Sequence, residues 1–315
     1  MTEIIDKAAS IFVAGHRGLV GAAVCRALAK RGFTNVVTRS RETLDLRVAP
    51  AVEEFFAAQR PTYVIMAAAK VGGILANSTY PADFLRENLQ IQTNVIDSAL
   101  RHGAAKLCFL GSSCIYPRLA PQPIKEESLL TGPLEPTNEW YAIAKIAGIK
   151  MCQAYAQQHD FNAISLMPTN LYGPGDNFDL KTSHVLPALI RKFHEAKESR
   201  AGEVVVWGTG TPRREFLHVD DLADAVCFLM ERYESPHIIN VGVGEDVTIA
   251  ELAELVRNAV GFSGRIVFDR SKPDGTPRKL LDVSRISALG WRPTIELEDG
   301  IRATYAWYLE NVAAS

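Results

Sequence analysis

The chain has 315 residues, an apolar fraction of 47% and a net charge of −2, so it is long enough to bury the core of one large domain or of two associated domains. The near-neutral charge excludes a strong long-range attraction to nucleic acid or to an anionic membrane. No uncharged apolar run approaches the roughly 18 residues of a membrane-spanning helix, and five scattered cysteines without a C-x-x-C pair argue against a disulfide framework and against structural zinc.

The first short apolar run, Ser10–Gly15, predicts a buried parallel strand. A glycine-rich turn and a helical segment follow at once, and the turn reads Gly15-His16-Arg17-Gly18-Leu19-Val20-Gly21. In a dinucleotide-binding turn the first glycine permits the bend, the second lets the backbone approach a pyrophosphate, and the third allows close helix–strand packing. We therefore predict that these residues bind a cofactor. The G-x-x-G-x-x-G spacing is one residue longer than the common form, and a purely structural turn is the alternative.

A second strand is predicted at Asn35–Thr38, and two arginines, Arg39 and Arg41, follow it. Sites that prefer NAD place an acid near this strand end, where it holds the ribose 2′-hydroxyl. Arginines can instead clamp a 2′-phosphate through paired hydrogen bonds. We therefore expect Arg39 and Arg41 to contact the cofactor and the cofactor to be NADP (NADPH). Glu42 is adjacent, and a solvated basic turn is the alternative.

The next predicted elements are a helix at Val52–Gln59, a strand at Thr62–Ala69, a long helix at Ala82–His102 and a strand at Lys106–Gly111. Ligands of doubly wound sheets bind outside the carboxyl ends of the strands. We therefore expect Ser112 to donate a hydrogen bond to a substrate carbonyl, although a helix cap or a turn is the more ordinary role of such a serine. The residues expected to contact the cofactor here are Leu110, Gly111, Ser112 and Ser113.

The most informative segment is the proline-free helix predicted from Tyr141 to Gln158. Tyr141 and Lys145 are four residues apart, so their side chains lie on one face of the helix, one turn apart. A phenol has an ordinary pKa of about 10, and we expect the ammonium to lower it, so that the phenol can exchange a proton with a carbonyl. The Tyr-x-x-x-Lys spacing alone is weak. Ser112, Tyr141 and Lys145 in this order after a glycine-rich first turn form a specific set.

A strand predicted at Asn162–Met167 leads into the proline- and glycine-dense segment Pro168–Gly175. Strands that alternate with helices predict an α/β protein, a Rossmann-type doubly wound parallel sheet with a smaller C-terminal α/β substrate-binding domain. We expect residues 1–173 to form the NADP-binding domain, with 216–242 returning to it, and residues 174–215 and 243–315 to form the substrate-binding domain. In this second part we predict helices at Ser183–Glu195 and Thr248–Val260, strands at Glu203–Trp207 and Arg265–Asp269, and a loop entering a helix at 208–221.

The chain resembles the extended short-chain dehydrogenase/reductase superfamily. The segments that carry the resemblance run from about Ile11 to beyond Arg285, and they are AGHRGLVG, AAAKVGGI, LGSSCIYP, EPTNEWYAIAKIAGIK, PTNLYGP, SHVLPALIRKFHEA, VVVWGTGTPRREFLHVDD and KPDGTPRKLLDVSR. The SSCIYP and GTGTPRREFLHVDD stretches are the most specific. They are most similar to enzymes that convert GDP-4-keto-6-deoxy-D-mannose to GDP-L-fucose by 3,5-epimerisation and NADPH-dependent 4-reduction.

The resemblance implies a role for each matching residue. Tyr141 would donate a proton to the C4 keto oxygen as NADPH delivers hydride, Lys145 would hold the cofactor ribose, and Ser112 would polarise the carbonyl. Cys114 and His184 would form the acid/base pair of the epimerisation, and His184 would also contact the cofactor. The nicotinamide would be lined by Pro168, Thr169, Asn170 and Leu171. The GDP-sugar would contact Lys192, where such enzymes often have arginine, and Trp207, Arg214 and Asp274.

The chemistry of a 4-keto-sugar supports these roles. C3 and C5 are both adjacent to one carbonyl, so removal of either proton places negative charge on the same oxygen, which Ser112 and Tyr141 can stabilise. A thiol is a plausible base and a histidine a plausible acid near neutrality. Without the resemblance, Cys114 would be interpreted as a small buried hydrophobic residue, His184 as a polar residue at a helix start and Trp207 as a core residue.

Two other functions stay open from the sequence. One is a nucleotide-sugar 4-epimerase or 4,6-dehydratase that retains NAD, and the other is a non-catalytic regulator that senses NADP on the same fold. We expect a GDP-sugar substrate, a homodimer through the helices around Ala82–His102 and Tyr141–Gln158, and no metal, nucleic-acid or membrane partner. The polar N-terminus lacks a signal-peptide pattern, so the expected location is the cytoplasm.

Overall fold

The computed structural model describes residues 5–272 and 274–314, apart from the side chains of residues 74 and 75. Numbered in chain order, the strands are β1 Ile11–Ala14, β2 Val36–Val37, β3 Tyr63–Met66, β4 Lys106–Leu110, β5 Ala163–Pro168, β6 Asn170–Tyr172, β7 Glu203–Trp207, β8 Arg213–Arg214, β9 Phe216–His218, β10 Ile239–Val241, β11 Val247–Thr248, β12 Arg265–Asp269 and β13 Arg278–Lys279. The helices are α1 Leu19–Lys30, α2 Ala49–Gln59, α3 Ile74–Thr79, α4 Pro81–Arg101, α5 Glu139–His159, α6 Val185–Glu198, α7 Val219–Arg232, α8 Ile249–Val260, α9 Ser284–Ala288 and α10 Leu297–Tyr308.

A parallel sheet of six strands forms the centre of the protein, in the order β2-β1-β3-β4-β5-β10. From β1 the chain moves outward to β2 and then crosses back to β3 on the other side of β1. The strand order therefore reverses between β1 and β3, and in open α/β sheets ligands bind outside the carboxyl ends of the strands at such a point. The predicted α/β fold class, a Rossmann-type doubly wound sheet, is confirmed.

Successive residues of the central strands enter opposite cores. Phe12 and Val64 pack with side chains of α2, α4 and α5, whereas Val13 and Ile65 pack with side chains of α1 and α7. Both faces of the sheet are therefore covered by helices, which explains why its strands are continuous apolar runs rather than alternating ones.

A separate hydrophobic core lies among α6, α8, α10 and the parallel pair of β7 and β12. In β7 the side chains alternate, with Val204 and Val206 buried and Val205 and Trp207 exposed. The expected domain boundaries stay a prediction. In this structure β10 joins the central sheet and α7 packs on α1, while Trp291, beyond the last expected boundary, packs in the core of α1 and α7.

The predicted elements differ from the observed ones mainly at their ends. The strand predicted at 62–69 ends at Met66, and the helix predicted from Ser183 begins at Val185 and continues to Glu198. The loop predicted at 208–221 was wrong in part because it contains β8 and β9, which are too short to show an alternating pattern. Among residues 5–272 and 274–314, no helix is long and apolar enough to cross a membrane.

Candidate active site

A cavity of about 870 Å³ lies at the carboxyl ends of β1, β3, β4 and β5. It brings together most of the residues that the sequence predicted to bind a cofactor or to be catalytic. Those in its wall are Gly15, Gly18, Leu19, Val20, Arg39, Arg41, Leu110, Gly111, Ser112, Ser113, Tyr141, Lys145, Pro168, Thr169, Asn170, Leu171 and His184. The predicted site residues outside this wall are His16, Arg17, Gly21, Cys114, Lys192, Trp207, Arg214 and Asp274.

The glycine-rich turn between β1 and α1 leaves room for a ligand at the helix N-terminus. Gly15 has a φ of +87°, which favours glycine, and a Cβ atom on Gly21 would lie 2.1 Å from the carbonyl oxygen of Gly15. A Cβ atom on Gly18 would meet only that oxygen, at 3.5 Å, so the space beside Gly18 is open. Gly18 precedes the first turn of α1 and has no capping side chain. Backbone amides and the helix dipole therefore favour an anion here, which fits the pyrophosphate of a dinucleotide.

Three arginines lie at the cavity wall beyond β2, and they are held differently. Arg47, which the sequence did not single out, donates to both carboxylate oxygens of Asp45 and to Glu87. Its position is thereby fixed. Arg39 and Arg41 are exposed, and the guanidinium Nε of Arg41 is 3.9 Å from the carboxylate of Asp45. Arg39 donates to the carbonyl oxygen of Thr38 at 2.8 Å, and both arginines are exposed where a phosphate could approach them.

Ser112, Tyr141 and Lys145 meet where β4 ends against α5. The Oγ atom of Ser112 accepts a hydrogen bond from the backbone N–H of Cys114 at 3.2 Å, and the same hydroxyl acts to lower the pKa of the Tyr141 phenol. Lys145 is only 4% exposed, and its Nζ donates to the carbonyl oxygen of Leu110 at 2.7 Å. The same Nζ lies 5.8 Å from the centre of the Tyr141 ring.

The expected lowering of the tyrosine pKa is not what this structure shows. Burial raises the pKa of Tyr141, the charge of Cys114 raises it further, and the hydrogen bond from Ser112 only partly opposes this. Burial also lowers the pKa of Lys145 to about 8. The spacing in the sequence predicted that Tyr141 and Lys145 are neighbours, but it could not show how far protein surrounds them. Burial opposes the charged form of each group.

Cys114 and His184 are the two residues expected to serve as acid and base in epimerisation. The half-buried Cys114 borders a small cavity of about 40 Å³, and its Sγ accepts hydrogen bonds from Asn138 Nδ2 at 3.3 Å and Lys279 Nζ at 3.4 Å. His184 directly precedes α6 in the wall of the main cavity. The His184 residue is exposed at the cavity, and partial desolvation of its ring and then the charge of Lys279 lower the pKa of His184. Lys279 therefore acts on both groups, through a hydrogen bond to Cys114 and through its charge on His184.

The residues expected to contact a GDP-sugar lie beyond the main cavity. Trp207 is 63% exposed, so its interpretation as a core residue was wrong, and the ammonium of Lys192 lies 5.3 Å from the centre of the Trp207 ring system. Arg214 is half-buried, and burial lowers its pKa. The carboxylate of Asp274 accepts hydrogen bonds from the backbone and the hydroxyl of Thr209 at 2.7 and 2.9 Å, so it holds the loop that follows β7.

Sequence reasoning did not single out Asn138, Asp176 or Lys279. Lys279 belongs to the KPDGTPRK segment, but no spacing relates it to Cys114, which is 165 residues away. Asp176 lies in the wall of the main cavity, where burial raises its pKa to about 7. In the part of the chain that the structure describes, no three His, Cys, Asp or Glu side chains are grouped as a metal site would require.

Two loops meet over the main cavity through their backbones. The N–H of Gly73, which directly precedes α3, donates to the carbonyl oxygen of Thr182 at 2.9 Å. A Cβ atom on Gly73 would lie 2.8 Å from the carbonyl oxygen of Ser183. The contact therefore depends on the absence of a side chain at position 73.

The fold and the Ser112–Tyr141–Lys145 arrangement define the class of protein: the chain belongs to the NAD dependent epimerase/dehydratase family, whose model matches residues 11–242. Among individual proteins, it is 66% identical to "Probable GDP-L-fucose synthase 1" of Oryza sativa subsp. japonica over 99% of this chain and 95% of the relative. It is 56% identical to the GDP-L-fucose synthase of Escherichia coli (strain K12) over 96% of this chain and 97% of the relative. The crystal structure of a GDP-L-fucose synthetase from Naegleria fowleri bound to NADP is similar with a TM-score of 0.92 at 32% identity, over 100% of this chain and 96% of that one.

Proposed function

We propose that the protein is a bifunctional enzyme that epimerises GDP-4-keto-6-deoxy-D-mannose at C3 and C5 and reduces it at C4 with NADPH, giving GDP-L-fucose. The observation that carries this proposal is the hydroxyl of Ser112. It accepts a hydrogen bond from the backbone N–H of Cys114 at 3.2 Å, and it also acts on the phenol of Tyr141, whose pKa it lowers. The candidate base, Cys114, therefore lies next to the hydroxyls of Ser112 and Tyr141, which can hydrogen-bond to a carbonyl oxygen. The names of the similar proteins agree with this chemistry.

The cavity residues fit NADPH as the cofactor, because the open space beside Gly18 and the N-terminus of α1 suit a pyrophosphate and the exposed Arg39 and Arg41 suit a 2′-phosphate. NADPH bound there would supply a hydride for C4. Lys145 would hold its ribose, and the backbone from Pro168 to Leu171 would line its nicotinamide. The similar synthetase from Naegleria fowleri is bound to NADP, which supports the same choice.

The hydroxyls of Ser112 and Tyr141 donate hydrogen bonds to the C4 oxygen of the substrate. When Cys114 takes the proton from C3 or C5, the electron pair moves into the ring enolate, and the two hydroxyls stabilise the negative charge on that oxygen. His184 returns a proton to the opposite face of the carbon, which inverts its configuration. In the reduction, Tyr141 gives its proton to the C4 oxygen. The raised pKa of Tyr141 keeps the phenol protonated until that step.

The remaining parts of the proposal concern the nucleotide and the assembly. Lys192, Trp207, Arg214 and Asp274 bind the GDP-sugar from the substrate lobe, formed by residues 174–215 and 243–315. Two copies associate through α4 and α5, which pack on each other and whose surface includes the exposed Trp140 and Ile143. The five cysteines are free thiols, which agrees with a cytoplasmic location.

Incubation with GDP-4-keto-6-deoxy-D-mannose and NADPH, followed by identification of the product sugar, tests the function. We expect GDP-L-fucose and one NADP formed per sugar. A protein that purifies with tightly held NAD and interconverts sugars without added NADPH would be a 4-epimerase or dehydratase instead, and a protein that binds NADPH without any turnover would be a regulator. Cys114→Ser should abolish deuterium uptake at C3 and C5 in D₂O, with Cys25→Ser as the matched control. Exchange at the wild-type rate would remove Cys114 from the role of base.

A further inference from the structure

We infer that Lys279 and Asn138 form a positioning pair that holds the Cys114 sulfur as a thiolate, the form in which it can remove a proton. This inference rests on the proposed function for its meaning in catalysis. The contacts themselves are independent of any substrate. No side chain in the pair needs to touch the sugar.

The donors around the sulfur favour its ionised form. The ammonium of Lys279 has three N–H donors and no acceptor, so it can interact with the sulfur only as a donor. Its Nζ lies 3.4 Å from Cys114 Sγ, and Asn138 Nδ2 lies 3.3 Å from the same atom. Asn138 directly precedes α5, but its side chain forms no cap on that helix. The amide is therefore directed to the thiol instead of to the helix end.

The backbone fixes Lys279 beside the thiol. β13 pairs in parallel with β8, and Lys279 lies opposite Arg214 in that register. The next residue, Leu280, donates to the side chain of Gln122 at 2.9 Å and accepts from the N–H of Ile124 at 2.7 Å. The strand is thus anchored to the segment that follows the Cys114 turn. Lys279 is half-buried, so solvent screens its charge less than that of a surface lysine.

The ionisable groups that face Cys114 come from three elements. Arg214 of β8 and Lys279 of β13 are positive, and both act on the thiol or its neighbours. The charge of Cys114 raises the pKa of the Tyr141 phenol in α5. Glu135 acts on Arg214 and is itself paired with Arg118 at 3.2 Å. Of these charged groups, Lys279 is the one that hydrogen-bonds to the sulfur, and ionisation of Cys114 helps to keep the proton on Tyr141.

The test measures the alkylation rate of Cys114 by iodoacetamide at pH 7.5, followed by mass spectrometry of the digest, because only the thiolate reacts. Lys279→Met should lower that rate about tenfold, Lys279→Arg should retain most of it, and Asn138→Ala should lower it about threefold. The half-exposed Cys25 is an internal reference whose rate should not change. Lys30→Met, an exposed lysine at the end of α1, removes the same charge elsewhere and should have no effect.

Fast alkylation of the buried Cys108 and Cys152 in the same digest would show that a variant is unfolded. If Lys279→Met is unfolded, the Cys114 alkylation rate of Asn138→Ala decides the test. Equal Cys114 rates in wild type and in the folded variants would overturn the inference. With the keto-sugar, Lys279→Met should lower deuterium uptake at C3 and C5 about tenfold without changing the KM for NADPH. A wild-type protein that leaves the sugar unchanged would refute the proposed function, while the alkylation rates would still decide the role of Lys279.

Discussion

Replacement of Glu215 by glutamine tests how far one buried carboxylate holds the site together. Glu215 is 0% exposed. Its Oε1 accepts from the N–H groups of Val243 and Gly244 at 2.6 and 2.8 Å, and its Oε2 accepts from the N–H of Leu281 at 3.0 Å. Its backbone oxygen also accepts from the side chain of Asn170 at 2.8 Å. The residue thus joins the start of β6 to the loops after β10 and β13.

The cost of Glu215→Gln follows from counting donors. An amide N–H₂ would replace one oxygen and would face at least one of the three backbone N–H groups, so that backbone donor and the new amide N–H would both be left without an acceptor. A buried unsatisfied donor costs about 1–3 kcal/mol. The free energy of unfolding should therefore fall by about 2–6 kcal/mol, a large fraction of the roughly 5–15 kcal/mol of a typical protein.

Urea unfolding measures this loss as a lower midpoint at an unchanged slope. Glu245→Gln is the matched control because Glu245 is exposed and lies in the same loop beyond β10. We expect the control to unfold at the wild-type urea concentration. A Glu215→Gln variant with the midpoint of the control would refute the reasoning that the three N–H groups depend on this carboxylate.

Four further outcomes are expected. Gly18→Ala should weaken NADPH binding at least tenfold without loss of stability. Gly21→Ala should unfold at a lower urea concentration, because its Cβ atom would lie 2.1 Å from a backbone oxygen. The reverse pattern would contradict the geometry of the turn. Tyr141→Phe should slow reduction by about 10²–10⁴ while NADPH still binds, and near-normal turnover would exclude the phenol as donor. Arg41→Ala should weaken NADPH more than NADH in calorimetric titrations, and equal weakening would show that it does not contact the 2′-phosphate. The pKa of Lys145 is lowered to about 8, so NADPH affinity should fall as the pH rises through that value, and a flat profile would be inconsistent with an ammonium there. Because the unfolded lysine titrates near pH 10.4, folding releases its proton between these two values, and the contribution of Lys145 to stability should rise with pH in that window.

The parts of the site that were predictable are those encoded over short distances in the chain. The strand, glycine turn and helix at Gly15–Gly21 and the one-turn spacing of Tyr141 and Lys145 each arise from local geometry. Ser112 could be assigned because it directly follows a recognisable buried strand. These features lie in the cavity wall or directly behind it.

The parts that escaped prediction depend on contacts between distant segments. Lys279 reaches Cys114 only because β13 pairs with β8, and strands of two residues have no periodic pattern to detect. The predicted lowering of the Tyr141 pKa was wrong for a related reason. Spacing shows which groups are neighbours, but the degree of enclosure depends on the whole fold.

The meeting of the two loops at Gly73 has a consequence for variation at that position. Gly73 has a φ of −67°, a torsion that any L-amino acid adopts, so a torsion-based survey would accept alanine there. Yet the methyl group of an alanine would push the two loops apart, because its carbon would lie 2.8 Å from the carbonyl oxygen of Ser183. Glycine is required at this position by lack of room and not by conformational freedom.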